Sequence, residues 1–368
     1  MDYFRNLLKN IDKILLLLPL FFAVISIVMI GSTSYEGEFI ITKDIKVQFA
    51  AYCLGAAALS VVMLFNYKTF ESMEKILYAA SILFLLTVYI PGLGVEHFGA
   101  RAWVDLGPID MQPSELVKIS FVLVFSSYLA RNRGSLSHIK GIGLAFLYAS
   151  PFILIIMKED LGTAVVMCFM TVAMIFCAGI DYKLFAKLGG VFCISMPILY
   201  RFMADHQKQR IDAFLHPDNF SIEATYQVWH SKVAIGSGGI IGKGLFEGTQ
   251  KELKYLPVQK SDFIFSVIAE ELGLIGGAIV ILLYTVFLYR MLKIADNAKD
   301  RYGSLIVIGI LSMFAFQIFE NIAMAMGIMP VTGITLPFIS YGGSSVVANM
   351  IALGIVLNVG IRSKIINF

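Results

Sequence analysis

Long apolar runs recur along the whole chain, and they constrain its fold more than any other feature. Hydrophobic residues make up 58% of the 368 positions and charged residues only 15%, whereas ordinary soluble domains carry roughly 25% charged residues. Runs of about 17–25 apolar residues can cross a bilayer as helices, and helices satisfy their own backbone groups in lipid. The pattern predicts an all-α polytopic membrane protein, one domain over residues 1–368.

About ten transmembrane helices fit the pattern. The predicted spans lie at 14–31, 47–65, 76–90, 116–130, 142–157, 161–178, 184–202, 263–289, 303–326 and 343–361. Several are shorter than the roughly 20 residues that a hydrocarbon core requires, so we expect their helices to extend into the flanking segments.

The basic residues of the short loops predict the orientation. Sixteen Lys and Arg residues fall on one side of the predicted membrane and four on the other. The excess of positive charge marks the cytoplasmic side, so both termini are predicted to be cytoplasmic and the protein to lie in the cytoplasmic (inner) membrane. The informative loops at 91–114, 158–160, 201–261 and 327–342 then face outward. The largest, about 201–261, joins spans seven and eight.

Composition and spacing argue against several other functions. A net charge of +3 is too small to imply nucleic-acid binding. The four cysteines lie in apolar runs, and the five histidines form no metal-binding pattern, so we predict neither disulfide nor metal. The glycine-rich stretch at 235–244 lacks the spacing of a phosphate-binding loop. The run at 14–30 is long for a signal peptide and is interpreted as the first span.

Asp262 stands where the polar stretch before it meets the apolar run at 263–284. One interpretation is a helix N-cap, because Asp satisfies free backbone N–H groups there. The other is a catalytic base at the mouth of a membrane helix, in reach of a lipid-linked substrate. The two interpretations do not exclude each other.

Other charged residues lie within or beside the predicted spans, where such residues are costly and often functional. Glu115 and Lys118 are spaced to form an ion pair on one helix face, or to point into an outer cavity. Asp160 is a second candidate N-cap. Pairs of polar residues in the eighth and ninth spans are interpreted as buried packing residues; they are Glu270, Glu271, Glu320 and Asn321.

Two arginines of the outer loops are candidate phosphate ligands, because the guanidinium group forks onto phosphate oxygens. Arg101 lies in the loop at 91–114 and Arg210 early in the loop at 201–261. Simple solvation of both side chains is the alternative.

Eight blocks of the sequence together resemble the SEDS family of cell-wall polymerases, which includes RodA and FtsW. They are RAWVDLG (101–107), QPSELVK (112–118), EDLGTAVV (159–166), QRIDAFLHP (209–217), SKVAIGSGGIIGKG (231–244), GTQ (248–250), LP with SDFIFSVIAEELG (256–273) and PVTGITLPFISYGGSS (330–345). The ten-span layout of the family covers the chain. The glycine-rich block followed by GTQ is more similar to the RodA branch.

The resemblance implies a peptidoglycan glycosyltransferase that polymerises lipid II for cell elongation and shape, with Asp262 as catalytic base. It implies inverting transfer with undecaprenyl diphosphate as leaving group, and a diphosphate leaves without needing a proton. Candidate cations for the diphosphate are Arg101, Lys118 and Arg210, and Glu115 and Asp160 are expected to shape the same cavity.

The resemblance also implies further binding residues and partners. The loop at 330–345 is expected to form part of the rim, with Ser340, Gly342 and Gly343 as substrate-binding residues. A class B penicillin-binding protein, other elongation-complex proteins and membrane lipid are the implied partners. No cofactor is predicted, although assistance by a divalent cation stays open.

Two residues depart from the family pattern near Asp262. Val258 stands where the family usually has Glu, and Lys260 where it usually has His or a similar residue. Losing an acid and gaining a cation would each lower the pKa of Asp262, so its basicity is expected to differ from that of relatives.

Two other functions fit the sequence less well. A lipid II flippase or other transporter would use charged residues inside ten helices, but internal repeats typical of carriers are not evident. A scaffold for wall synthesis without chemistry of its own would tolerate Asp262→Asn. The docking surface of a partner, the donor or acceptor contacts of single residues and the host's envelope type are beyond the sequence.

Overall fold

The computed structural model describes residues 10–364, except 36, 39, 98–99, 106, 108–109, 181–183, 185, 188, 191–199, 202, 204, 221, 253–254 and 257. Helices dominate this part of the chain. They are α1 (Lys13–Thr33), α2 (Lys43–Leu64), α3 (Tyr67–Ser72), α4 (Glu74–Leu86), α5 (Pro113–Arg131), α6 (Ile139–Met157), α7 (Leu161–Cys177), α8 (Asp205–Leu215), α9 (Glu223–Ser237), α10 (Thr249–Glu252), α11 (Ile264–Asp296), α12 (Arg301–Ala325) and α13 (Gly343–Lys364).

The polytopic membrane class is confirmed, because seven described helices are long and apolar enough to cross a bilayer. They are α1, α2, α5, α6, α11, α12 and α13. Two further predicted spans correspond to shorter helices: α7 has 17 residues, and α4 has 13 and continues as a 3₁₀ turn over Thr87–Tyr89. Most of the predicted span at 184–202 lies outside the described residues.

The loop at 91–114 departs from the predicted all-α class, because it forms a small antiparallel sheet. Its strands are β1 (Gly94–His97), β2 (Ala100–Asp105) and β3 (Asp110–Met111), in the order β1-β2-β3. Side chains alternate between the two faces of a strand. In β2, Ala102 and Val104 are accordingly buried while the intervening residues are more exposed.

The bundle is organised around α12, which packs against α5, α7, α11 and α13. A second close contact joins α2 and α13, and small residues allow it. A Cβ added to Gly55 would lie 2.8 Å from Met350 Cγ, and one added to Gly354 would lie 3.1 Å from Leu59 Cα. Both helices therefore approach closely along their backbones.

Helix α11 is interrupted at Gly273, where the backbone adopts φ 66° and ψ −163°. The glycine-rich stretch at 235–244 fills the break. Lys243 and Gly244 donate backbone hydrogen bonds to the carbonyls of Glu270 and Glu271, each at 3.1 Å. Gly242 lies so close that an added Cβ would be 2.1 Å from the Glu271 oxygen. The stretch is thus a structural partner of α11.

The contacts gather the four predicted outer loops at one end of the bundle. The Arg101 backbone N–H donates to Glu159 Oε2 at 3.0 Å, and Gln207 Nε2 to the Met157 carbonyl at 3.3 Å. Arg210 Nη1 donates to the Thr332 carbonyl at 2.7 Å. The segregation of these loops agrees with the orientation predicted from charge, and the sidedness itself stays a prediction.

Candidate active site

Asp262 lies in the turn that precedes α11 and does not cap that helix. The cap position is Phe263, and α11 has no side-chain cap hydrogen bond. The Asp262 backbone N–H donates to the Val258 carbonyl at 3.1 Å, which makes the residue part of a tight turn. The N-cap interpretation of Asp262 was therefore wrong, and its partly exposed carboxyl is available for another role.

The carboxyl of Asp262 and the guanidinium of Arg210 converge on Gly333. A Cβ built on Gly333 would lie 3.6 Å from Asp262 Oδ2 and 3.5 Å from Arg210 Nη1. Gly333 has φ 78°, a conformation that glycine adopts without steric cost. Three segments distant in sequence, at 210, 262 and 333, thus meet in one place.

The pKa of Asp262 is raised from its usual range, chiefly by burial. A hydrogen bond from Ser261 and the positive charge of Arg210 oppose this rise, and the negative charge of Asp160 adds to it. A carboxyl with a raised pKa binds a proton more tightly and is a stronger base once ionised.

The lowering of the Asp262 pKa relative to family members stays a prediction, although Lys260 faces another residue. Its Nζ lies 2.5 Å from Asp44 Oδ2 and 4.9 Å from the centre of the Tyr341 ring. Burial and the neighbouring Asp44 raise the pKa of Tyr341 to about 12. The added cation is therefore neutralised by Asp44, and burial of Asp262 outweighs the remaining contributions.

Asp160 caps α7, as its position predicted. Its Oδ1 accepts from the Thr163 backbone N–H at 2.9 Å and its Oδ2 from the Thr163 hydroxyl at 2.7 Å. Gln112 Nε2 donates to the same Oδ2 at 2.8 Å. The cap does not remove Asp160 from the site, because its charge still acts on Asp262.

Glu115 and Lys118 form an ion pair on α5, with Lys118 Nζ 2.7 Å from Glu115 Oε1. Both side chains are buried, and the second carboxyl oxygen of Glu115 has no hydrogen-bond partner in the described part of the chain. The local ion-pair interpretation describes this geometry. A role for either residue in substrate binding stays a prediction.

Arg101 lies on β2, beside the start of α7. Its Nη2 donates to the Ile90 carbonyl at 3.4 Å. Arg101 and Asp160 line the same small pocket, together with Pro113 and Glu159. The structure therefore connects Arg101 to Asp160 and not directly to Asp262.

Ser340, Gly342 and Gly343 contact other parts of the protein, and the two glycines are half-buried. Ser340 is buried, and its hydroxyl donates to the Ser261 carbonyl at 2.5 Å while accepting from the Leu336 N–H at 2.8 Å. The Gly342 N–H donates to Gln48 Oε1 at 3.2 Å. These contacts fasten the turn that carries Asp262, and the predicted substrate contacts are untested.

Two buried tyrosines hold the rest of this loop. Tyr52 donates to the Phe338 carbonyl and Tyr284 to the Pro337 carbonyl, each at 2.5 Å. Phe338 adopts φ 66°, which is uncommon for a residue with a side chain. The loop behind Asp262 is thus fixed by several independent contacts.

Sequence reasoning did not single out three residues of the site, although two of them lie in the loop at 330–345 that was expected to form part of its rim. Thr332 accepts from Arg210 through its carbonyl, Gly333 lies between Arg210 and Asp262, and Glu320 accepts a hydrogen bond from the Thr332 hydroxyl. Glu320 had been assigned to packing. Its charge in an apolar span was the available signal, but only the fold shows that it lies behind Asp262.

Glu270 and Glu271 are buried packing residues, as expected. Glu270 Oε1 accepts from Lys243 Nζ at 2.6 Å and from the Gln250 N–H at 3.0 Å. Glu271 accepts from the Phe246 N–H at 3.1 Å and from the Ser32 hydroxyl. Both carboxyls thereby fix the outer loop at 243–250 to α11.

Comparison with known proteins supplies the family. A family model described as "cell cycle protein", for FtsW, RodA and SpoVE, matches residues 8–365. The chain belongs to this family. The match confirms the resemblance to the SEDS proteins and covers nearly the whole chain.

Relatives from all three branches of the family are similar over their full length. Stage V sporulation protein E of Bacillus subtilis is 34% identical, with 96% of this chain and 98% of the relative covered. Peptidoglycan glycosyltransferase MrdB of Escherichia coli K12 is also 34% identical, over 97% and 95%. Probable peptidoglycan glycosyltransferase FtsW of Geobacter sulfurreducens is 31% identical, over 97% of both. These identities are consistent with the RodA branch but do not distinguish it from the other branches.

Solved structures show the same fold. A chain from a peptidoglycan synthase complex, whose structure concerns the coordination of polymerization and crosslinking, superposes with a TM-score of 0.80 at 28% identity, covering 96% of this chain and 98% of that one. The rod shape determining protein RodA of Thermus thermophilus has a TM-score of 0.72 at 27% identity, with the same coverage.

Proposed function

We propose that this protein is a peptidoglycan glycosyltransferase that polymerises lipid II at the outer face of the cytoplasmic membrane. The observation that carries the proposal is the convergence of the Asp262 carboxyl and the Arg210 guanidinium at Gly333. Family membership and relatives named peptidoglycan glycosyltransferase support it.

Asp262 is the proposed general base. It accepts the proton of the 4-hydroxyl of the acceptor N-acetylglucosamine as that oxygen attacks the anomeric carbon of the donor N-acetylmuramic acid. The bond from that carbon to undecaprenyl diphosphate breaks, with inversion at the carbon. The raised pKa of Asp262 brings the group closer to the operating pH, where general bases work best.

Arg210 is the cation that best fits the leaving diphosphate. It lies beside Asp262, and Nη1 is held by the Thr332 carbonyl. A guanidinium group has five N–H donors, so one such bond leaves others for phosphate oxygens. Lys118 is already paired with Glu115, which favours a structural contribution. Arg101 is proposed to act on the Asp160 side of the substrate.

No metal is required by this scheme. The described residues include no group of three or more His, Cys, Asp or Glu arranged for a metal ion. We assign charge compensation to Arg210, because its guanidinium lies beside Asp262.

We further propose that the protein works in cell elongation with a class B penicillin-binding protein that supplies transpeptidation. The similarity to RodA and to a chain of a peptidoglycan synthase complex supports this assignment. Apolar helices and family membership support a multi-pass membrane protein, and we propose that its membrane is the cytoplasmic one.

The test is polymerisation of labelled lipid II by the purified protein in detergent. The wild type should make glycan strands, and Asp262→Asn should make none. Asp205→Asn is the matched control, because Asp205 is an almost fully exposed acid on α8, and it should retain activity. The partner protein is added in a second series to measure stimulation.

The same experiment distinguishes the other functions. A flippase moves lipid II between leaflets and makes no strands in detergent, where no second leaflet exists. A scaffold makes no strands either, and its Asp262→Asn variant would still support growth in cells. Absence of strands from folded wild type, with and without its partner, would contradict the proposal.

A further inference from the structure

Glu320 is a fully buried carboxyl near the end of α12. Its Oε1 accepts a hydrogen bond from the Thr332 hydroxyl, and its Oε2 has no hydrogen-bond partner among the described residues. Burial of a carboxyl with an unpartnered oxygen is costly. An apolar residue would serve packing better, so the acid needs another explanation.

Thr332 joins Glu320 to the candidate active site. The Thr332 hydroxyl donates to Glu320, and the Thr332 carbonyl accepts from Arg210 Nη1 at 2.7 Å. The next residue, Gly333, faces both Arg210 and Asp262. The segment of Thr332 and Gly333 therefore contacts Glu320 on one side and lies against Arg210 and Asp262 on the other.

The neighbouring residue on α12 fixes the second component of the site. Asn321 Nδ2 donates to the carbonyls of Asp262 and Ile334, each at 2.8 Å. Glu320 thus fixes the Thr332 segment that binds Arg210, and Asn321 fixes the turn that carries Asp262. Two adjacent polar residues on a packed helix are a rigid support for such a site.

The charges around this support are few in the described part of the chain. Glu320 interacts electrostatically with Asp262 and Arg210, and Asp262 also with Asp160. Lys260 is paired with Asp44. Arg210 is therefore the cation that interacts with both Asp262 and Glu320. The position of its guanidinium determines how strongly it interacts with each carboxyl.

We propose that Glu320 is a positioning residue for the glycosyltransferase reaction, which holds Arg210 beside Asp262 by fixing Thr332. Only the expected effect of Glu320 on the reaction rate rests on the proposed function. The structural coupling between Glu320 and Arg210 is independent of the reaction. If the guanidinium is misplaced, substrate still binds through its lipid and sugar contacts, but the reacting groups are poorly aligned.

The kinetic test compares Glu320→Leu, which removes the acceptor for Thr332, with Glu320→Gln, whose amide oxygen can still accept. Glu320→Leu should lower kcat about 10-fold or more with KM changed less than about twofold. Glu320→Gln should restore most of the rate. Gln317→Leu is the control, because it removes another buried polar side chain of α12 and should leave kcat near the wild-type value.

A double-mutant cycle with Arg210→Gln gives a readout that needs no activity. If Glu320 acts through Arg210, the changes in unfolding temperature from Glu320→Leu and Arg210→Gln should not add in the double variant. If Glu320→Leu fails to fold, Thr332→Val takes its place, since it removes the hydroxyl donor at similar volume. Thr332→Ser should then behave as wild type.

Additive changes in the cycle would overturn the proposal, whatever the activity. An inactive wild type with non-additive changes would contradict the glycosyltransferase assignment and leave the coupling in place. With an active wild type, equal kcat values for Glu320→Leu and Gln317→Leu would also overturn it.

Discussion

At the scale of single residues, the site combines one partly buried acid with one cation. Burial raises the pKa of Asp262, and Arg210 opposes the rise. Because burial and Arg210 act in opposite directions, Asp262 binds a proton tightly enough to act as a base and can still be ionised. Arg210 therefore affects both the substrate and the base.

Arg210→Gln should move the pH dependence of the reaction. Without the nearby positive charge, the ionised form of Asp262 is less stable and its pKa rises further. More of the base is then protonated at a given pH, so the acid side of the kcat/KM profile should shift to higher pH. Profiles of wild type and variant between about pH 5 and 9 give the measurement. A shift to lower pH would contradict the assigned contact.

Asp262→Asn should stabilise the fold near neutral pH. The pKa of Asp262 is raised in the folded protein, so stability from its protonated form is present below the unfolded pKa and is lost as pH rises through the folded pKa. Asparagine carries no charge to desolvate, so we expect the variant to unfold at a higher temperature than wild type at pH 7.5.

Thermal unfolding of the two proteins in detergent measures this difference. The gain should shrink as the pH falls and be smallest below about pH 3, where the aspartate is protonated in both states. Equal unfolding temperatures at pH 7.5 would indicate that burial does not destabilise the ionised form of Asp262.

Sequence alone could predict part of this site and not the rest. Asp262 stood out as a charge before an apolar run and Arg210 as an arginine of an outer loop, and the cap formed by Asp160 followed from its position. The pairing of Lys260 with Asp44 was not predicted, because Asp44 lies more than 200 positions away. The place of Glu320 in the site could be found only from the fold, because the local sequence does not show which residues a buried carboxyl contacts.

At the scale of elements, the break in α11 is the feature that the apolar pattern concealed. The pattern continues through Gly273, so it predicts a single span. The backbone groups freed at the break are instead satisfied by the stretch at 235–244: the Leu274 and Ile275 N–H groups donate to Gly239 and Ile240. The glycines of that stretch are explained by close approach, not by nucleotide binding.

Gly242→Ala should therefore destabilise the protein strongly. The new Cβ would lie 2.1 Å from the Glu271 oxygen, at a residue with φ 92°, and we expect a loss of about 2–4 kcal/mol. Gly236→Ala is the control, because nothing lies within 4 Å of its Cβ position. Thermal unfolding of both variants is the measurement. Equal stability would mean that the stretch does not pack into the break.

At the scale of the whole molecule, hydropathy and charge predicted the polytopic class and the gathering of outer loops at one end. They did not predict the sheet at 94–111, because its strands are too short to stand out from loop sequence. The helices of the loop at 201–261 were likewise not predicted, because they are short and lie outside the apolar runs.

The predicted orientation has a direct test in intact cells. Cysteines introduced at Asp205, which is almost fully exposed, and at Lys68, which is half-exposed, are offered a membrane-impermeant maleimide, with native cysteines replaced. Asp205→Cys should react in intact cells and Lys68→Cys only after permeabilisation. The reverse pattern would place the candidate active site on the cytoplasmic side.

The most direct test of the central claim is a single-turnover measurement of glycan bond formation by wild type and Asp262→Asn. We expect the variant to bind lipid II with an affinity within about twofold of wild type and to form the bond at least about 100-fold more slowly. Its residual rate should not depend on pH. A variant that binds lipid II and retains most of the wild-type rate would show that Asp262 is not the base.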